Sequence, residues 1–455
     1  MRLWPLQFAL SKDRRSRRAP APRLYGYIRQ KDGERARIHL RINPDRSGVL
    51  FINADIVLHL NQTAATMAWA HLEGAEEDQA LELLRQLFRV DRKQAKGDYA
   101  QFTAELDELL RPNGLCPLHD LQDVAIAIPF SSRPTAPYRM DLALTYRCNN
   151  ECAHCYNGRP RTYPEMPTSQ WLRVLEQVYA LGIPHVVFTG GEPTLRHDLP
   201  DLIAYAQKIG LIAGLNTNGR RLSDPQFLAR LVEAGLDHVQ ITLESYNPAI
   251  HDRLVARPGA WQQTIAGIKN VLETPVYMMT NTTLLAENSP FLEETLRFLG
   301  SLGVPTVGLN GLIYSGKGLH VGAGLEEEAL PALLDLARAI TNQQRQRLIW
   351  YTPTQTCRFD PMQLELGVKG CTAALFNMCV EPNGDVIPCQ SYYQALGNLL
   401  ADPWESIWNH ELAVHLRERR YVPQACLDCS LLPECGGGCP LRPSPPRGAP
   451  PPASA

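Results

Sequence analysis

Three cysteines fall within eight residues of the stretch TYRCNNECAHCYNG: Cys148, Cys152 and Cys155, with Tyr156 directly after the last. Thiolates are soft ligands that select zinc, copper(I) or iron–sulfur clusters. A structural zinc site usually draws four protein ligands arranged in two pairs, which an odd triplet does not supply. A [4Fe–4S] cube has four irons, so three thiolates leave one iron free to bind something else, and that vacancy is what a catalyst needs. A second concentration of thiols lies further along, with eight of the twelve cysteines between Cys357 and Cys439. Cys426, Cys429, Cys435 and Cys439 make a dense Cx2Cx5Cx3C run, and Cys371 and Cys389 stand upstream of it, with Gly384 five residues before Cys389. Such short spacings point to metal rather than to disulfides. Cys116 stands apart and is most simply a buried thiol.

The elements that would position these groups can be read from periodicity. From Tyr138 to about Ile340 strand-like runs alternate with helical ones: RMDLALTY, HVVFTGG, AGLNTN, HVQITLES, VYMMTNTTLL and TVGLNGLIY, separated by stretches such as TSQWLRVLEQVYALG and DPQFLARLVEAG. Repeated βα units imply a parallel sheet, open or closed as a barrel. The triplet follows the first strand, and in a βα barrel the loops after the strands build the active site. In HVQITLES, alternation puts Gln240, Thr242 and Glu244 on one strand face, opposite Val239, Ile241 and Leu243. His251 and Asp252 are expected to cap or brace a helix start.

Ahead of this region come three β-like runs, RLYGYIRQ, ARIHLRI and GVLFINADIVLHL, then helical patterns starting near Asn61, Glu76 and Asp91. Strands followed by helices make a small α+β unit of winged-helix type. The expected organisation is a basic disordered arm at 1–22, the α+β unit at 23–112, a linker at 113–136, a βα core at 137–346, a cysteine-rich domain at 347–440 and a disordered proline-rich tail at 441–455. Net charge is −2, which gives no general reason to expect a nucleic-acid or anionic-membrane partner. No secretory signal and no membrane-length apolar run is seen, so a soluble cytoplasmic protein is expected.

Cx3CxxC after a first strand, with an aromatic residue beside the last cysteine, resembles the radical S-adenosylmethionine (SAM) superfamily. The resemblance implies a partial (β/α)6 TIM-like barrel within an α/β fold. It also implies a [4Fe–4S] cluster whose open iron chelates SAM and cleaves it reductively to a 5′-deoxyadenosyl radical. FTGGEPTL resembles the family's GGEP motif, so Gly190 and Gly191 would allow close backbone approach to a ligand and Glu192 would accept from the SAM ammonium. By the same likeness Tyr156, Asn216, Gln240, Thr242 and Asn281 would line the SAM pocket, Thr242 at the ribose. Asn288 is a lesser candidate of that kind, and Glu244 stands where relatives often have Asp.

The C-terminal third resembles the SPASM extension, which implies one or two auxiliary [4Fe–4S] clusters. One would take Cys371, Cys389 and Cys439, and the other Cys426, Cys429 and Cys435. For the fourth ligand of the first, Cys357 and Cys379 compete. A hairpin with Asn383-Gly384 at its turn would pair Met378 with Cys389 and turn Cys379 to the opposite face, which favours Cys357. The second is expected to be open, held by oxygen from Asp428 or Glu434, or absent. A zinc ribbon is the simpler structural alternative.

The stretch from Leu58 to Leu110 resembles PqqD-like recognition elements, which capture the leader of a ribosomally made precursor peptide as an added strand. Together the likenesses imply a peptide maturase whose partners are a precursor peptide and an electron donor such as flavodoxin or ferredoxin. A tetrapyrrole or sulfatase maturase is the alternative among enzymes. A non-catalytic iron–sulfur carrier or leader-binding scaffold is the alternative outside them.

Overall fold

A computed structural model describes residues 4–5, 19–31, 34–53, 56–110, 133–158 and 161–442. Cys116, most of the expected arm and linker, and the tail from residue 443 lie outside the described residues. Contacts divide the chain into two units, 1–127 with 176–184 and 209–212, and the remainder.

The first unit is a five-stranded antiparallel sheet, in order β1 (Trp4–Pro5), β2 (Leu24–Lys31), β3 (Glu34–Ile42), β4 (Gly48–Ile52) and β5 (Ile56–Leu60), followed by three helices. The helices α1 (Gln62–Leu72), α2 (Glu77–Leu87) and α3 (Arg92–Leu109) have Asn61, Glu76 and Asp91 as their N-caps, the three starts the sequence predicts. Asn61 accepts from the Ala64 N–H, and Asp91 accepts from Lys93 and Gln94, pairing amides that the first turn leaves without partners. Ile38, Leu40 and Leu50 from the sheet pack with Trp69, Leu81 and Leu106 from the helices in one core. The third predicted run is two strands, not one. Asn53 sits at φ +52°, in the left-handed region that Asn tolerates, and the chain folds back so that Ile52 pairs with Ile56.

The second unit holds the six strands the alternation predicts: β6 (Arg139–Thr145), β7 (His185–Gly190), β8 (Ile212–Thr217), β9 (His238–Thr242), β10 (Tyr277–Thr283) and β11 (Thr306–Asn310). Helices cross between them, among them α4 (Thr168–Ala180), α5 (Leu199–Ile209), α6 (Pro225–Glu233), α7 (Pro248–Leu254), α8 (Ala260–Leu272) and α9 (Leu292–Ser301). The sheet does not stop at six. After α10 (Leu330–Gln343), β12 (Arg347–Trp350) pairs parallel with β11. At the other edge β13 (Asn377–Val380) pairs parallel with β6, and β14 (Asp385–Ile387) and β15 (Gly397–Asn398) follow antiparallel. The mixed α/β fold is therefore a partial barrel whose sheet runs on into the cysteine-rich third. Among the described residues no helix is long and apolar enough to cross a membrane.

The hairpin register differs from the expected one. Cys379 pairs with Ile387 and Val380 with Val386, so Met378 does not face Cys389. The turn is one residue longer than Asn-Gly alone: the Glu381 N–H donates to Asp385 O, and Pro382, Asn383 and Gly384 lie between. Proline pre-sets the first turn position and Gly384, at φ +92°, takes the last, a common three-residue hairpin. Cys379 packs instead with Ala143 and Ile387 in a small apolar cluster.

Candidate active site and cluster-binding cysteines

β6 ends at Thr145, and Cys148, Cys152 and Cys155 follow in the loop at its C-terminal end. The loop is braced at several points. Glu151 N–H donates to Val255 O (3.0 Å) and Ala153 N–H to Leu254 O (3.3 Å), tying it to the end of α7. Arg220, just past β8, donates to Asn149 O (2.5 Å) and Asn150 Oδ1 (2.8 Å). Lys317 and Gly158 both donate to Cys155 O, at 2.9 and 3.1 Å. A cavity of 290 Å³ opens beside the triplet, lined by Cys148, Asn149, Glu151, Ala256 and Arg257.

Gly190 and Gly191 bring main chain against main chain. Gly190 has φ +136°, and a Cβ there would strike Thr145 O; a Cβ on Gly191 would come within 2.5 Å of Arg147 O. The glycines thus let main chain approach main chain, with Gly191 N–H donating to Thr145 O (2.7 Å) and Glu192 N–H to Arg147 O (2.9 Å). They dock the second loop onto the residues that lead into Cys148. Asn157 reinforces this by donating from Nδ2 to Gly190 O (2.7 Å).

Glu192 is fully buried. Its Oε1 accepts from the Thr194 N–H (3.1 Å) and from the Thr194 and Thr217 hydroxyls (both 2.6 Å), and its Oε2 accepts from the Asn218 N–H (2.8 Å). Burial raises the carboxyl above its ordinary range, although these hydrogen bonds oppose the rise. Much of its acceptor capacity is therefore spent inside the chain.

Asn216, Gln240, Thr242 and Asn281 come together. Asn216 pairs with Gln240 across β8–β9, and Thr242 with Asn281 across β9–β10, so the four share one face of the sheet. Gln240 and Thr242 are half-buried while Val239 and Ile241 are wholly buried, as the alternation predicts. Glu244 leaves that row because β9 ends at Thr242; its Oε1 lies 3.0 Å from His154 Nε2, and its Oε2 accepts from the Thr283 N–H. Asn288 is spent on structure, bonding Glu244 O, Thr283 O and the Leu285 N–H. Asp252 accepts from Gly259 and Trp261 at the start of α8, which is the bracing the sequence predicts, whereas His251 Nδ1 accepts from the Glu244 N–H just past β9.

Tyr156 also turns inward. Its hydroxyl donates to Gln390 Oε1 (2.6 Å), and Gln390 Nε2 donates to Asp141 (2.7 Å). Gln390 follows Cys389 as Tyr156 follows Cys155, so this bond links the triplet loop to the C-terminal cysteines. Sequence reading missed Gln390, Arg220 and His154, since an isolated polar residue carries no spacing signal. His154 sits between Cys152 and Cys155; burial lowers its pKa, but Glu244's charge and hydrogen bond outweigh burial and raise it overall. Its Nδ1 is buried with no hydrogen-bond partner.

The thiols fall into three groups by mutual electrostatic influence. Burial pushes Cys148 up to about 11, with Glu192 and Cys155 adding to the rise; Cys152 is raised by burial and then by Cys155, Glu244 and Cys148. Cys371 is raised by burial, Cys439 and Cys389, and Cys389 reaches about 12 through burial and Cys439. Cys426 is raised by burial, then by Cys357, Cys435 and Cys429. Cys357 is raised by burial and then by Cys435, with a smaller contribution from Cys429. Thiols held this high stay protonated as bare groups, and binding a metal cluster displaces their protons. No three His, Cys, Asp or Glu side chains among the described residues converge on a single ion.

Residues 142–309 match the radical SAM superfamily, and residues 371–430 match SPASM, an iron–sulfur cluster-binding domain. The chain thus carries a radical SAM domain, whose cofactors are a [4Fe–4S] cluster and SAM, and a SPASM domain, which holds auxiliary iron–sulfur clusters. The fold is similar to that of SuiB from Streptococcus suis bound to precursor peptide SuiA: TM-score 0.66 and 16% identity over 88% of this chain and 94% of that one. The same figures hold for SuiB bound to S-adenosylmethionine. The structure of anSMEcpe with bound AdoMet and Kp18Cys peptide gives TM-score 0.53 and 17% identity over 66% of this chain and 89% of that one.

Proposed function

We infer that this protein is a radical SAM maturase that modifies a ribosomally made precursor peptide, with its leader held by the N-terminal unit. The observation that carries the catalytic half is the three-thiol loop at the end of β6, locked to the Gly190–Glu192 loop beside an open cavity. Bound there, the cluster and SAM supply reductive cleavage and hydrogen-atom abstraction, chemistry suited to unactivated C–H bonds. The chain's part is to offer three thiolates from Cys148, Cys152 and Cys155 and to fix their loop through Arg220, Lys317 and the Thr145–Arg147 carbonyls. The polar row Asn216, Gln240, Thr242 and Asn281 offers hydrogen-bonding groups to the nucleoside, and Glu192 holds the strand ends around it. An electron donor of flavodoxin or ferredoxin type would reduce the cluster.

The peptide half rests on β5. Among the described residues it pairs only with β4, and Ile56, Leu58 and Leu60 are half-buried while Val57 and His59 are exposed. An edge of this kind accepts an added strand, main-chain bonds giving affinity and alternate side chains specificity. SuiB and anSMEcpe, similar in fold, are both recorded with peptides. Tethering by a leader raises the effective concentration of the segment to be modified.

The test is anaerobic reconstitution followed by SAM, reductant and a short peptide encoded beside the gene. 5′-Deoxyadenosine should form, the peptide mass should change, and Cys152→Ala should abolish both. Removing the leader should lower kcat/KM at least about tenfold. SAM left intact under these conditions would overturn the reading.

A further inference from the structure

The segment before β13 carries Cys357, and the chain pins it against the C-terminal run at three places. Thr356 N–H donates to Cys435 Sγ at 3.3 Å. Gln355 Nε2 donates to Gly437 O at 3.1 Å. Glu327 bridges the two segments, 3.5 Å from Arg358 Nε and 2.7 Å from Arg442 Nη1. The run itself is divided by the glycines between Cys435 and Cys439. Gly436, Gly437 and Gly438 stand at φ +71°, +76° and +79°, three consecutive left-handed residues that only glycine adopts without penalty. The Tyr421 hydroxyl donates to the Gly436 and Gly438 carbonyls (both 3.1 Å), holding the turn. This reversal leaves Cys435 on the side of Thr356 and carries Cys439 toward Cys371 and Cys389.

We propose that Cys357 is the fourth thiolate of the C-terminal iron–sulfur site formed with Cys426, Cys429 and Cys435, held there by the contacts of Gln355, Thr356 and Arg358. The site is then closed by cysteine, and Cys357 is withdrawn from the Cys371, Cys389 and Cys439 set. This rests on the SPASM domain's cluster binding and not on the peptide reading. Cys357 and Cys429 are both exposed, so this site is the more open of the two to chelators and oxygen.

The test uses full-length protein reconstituted anaerobically, with iron and acid-labile sulfide counted after passage over a chelating resin. Cys357→Ala and Cys429→Ala should each lose about four irons. The Cys357→Ala/Cys429→Ala double variant should lose no more than either single one, and Cys357→Ala/Cys371→Ala should lose the sum. Cys357→Ser, which keeps an oxygen ligand and the local packing, should retain iron but shift the EPR spectrum of the reduced protein. The opposite pattern, with Cys357 additive to Cys429 and not to Cys371, overturns the proposal, as does an unaltered spectrum in Cys357→Ser. None of these readouts needs SAM cleavage or a peptide, so the maturase reading can fail while this assignment stands, and the reverse.

Discussion

The triplet loop and the C-terminal cysteines both gather thiols, but by opposite means. Cys148, Cys152 and Cys155 are neighbours in sequence, carried on one loop that a parallel sheet holds still. Cys357 and Cys435 come together across 78 residues, through one Sγ contact, a glycine reversal and a carboxylate bridge. The first arrangement needs the fold only to brace it, whereas the second needs the fold to create it. A short loop costs little closure entropy, and a long one must be repaid by contacts at its ends.

Glu192→Ala leaves the Thr194, Thr217 and Asn218 donors without their acceptor and should destabilise the second unit by about 2–4 kcal/mol. Thermal unfolding should register this, with iron lost from the triplet before the C-terminal sites. An equal loss from all sites would show that the two regions are not braced separately.

Acid should act next. His238 is half-buried, and its pKa is lowered to about 4, by desolvation and then by Arg139. Its folded pKa lies below its unfolded one, so between pH 6.5 and 4 the unfolded chain binds more protons and stability falls as pH falls. The loss should approach about 3 kcal/mol near pH 4 and then level off. Denaturation measured across that window should show a shallower slope in His238→Gln, with His39, also lowered to about 4, keeping part of the dependence.

Gly190→Ala forces a Cβ toward Thr145 O at an unfavourable φ, which should cost about 1–3 kcal/mol. The triplet should then release iron to a chelator faster, with the Cys371 set unchanged.

Much of this molecule follows from local pattern. Asn61, Glu76 and Asp91 cap three helices where the sequence places them, because a side-chain oxygen or a helix-start pattern speaks only for the next turn. The six barrel strands, the half-buried face of Gln240 and Thr242, and the bracing by Asp252 were legible for the same reason. Asn53 carries no such local signal, because Asn tolerates either backbone region and the choice falls to pairing. Gly190 and Gly191 were legible as a close approach, but what approaches them, a carbonyl of the preceding strand end, depends on which strands become neighbours.

The amino-acid order alone determined the chemistry of the triplet, since spacing within one loop limits where three sulfurs can go. Only the tertiary structure decided how the remaining thiols are shared: the Pro382 turn set the hairpin register, and the Gly436–Gly438 reversal sent Cys435 and Cys439 different ways. Contacts between distant segments are chosen by packing and closure together, and neither is written in the spacing of the residues that meet.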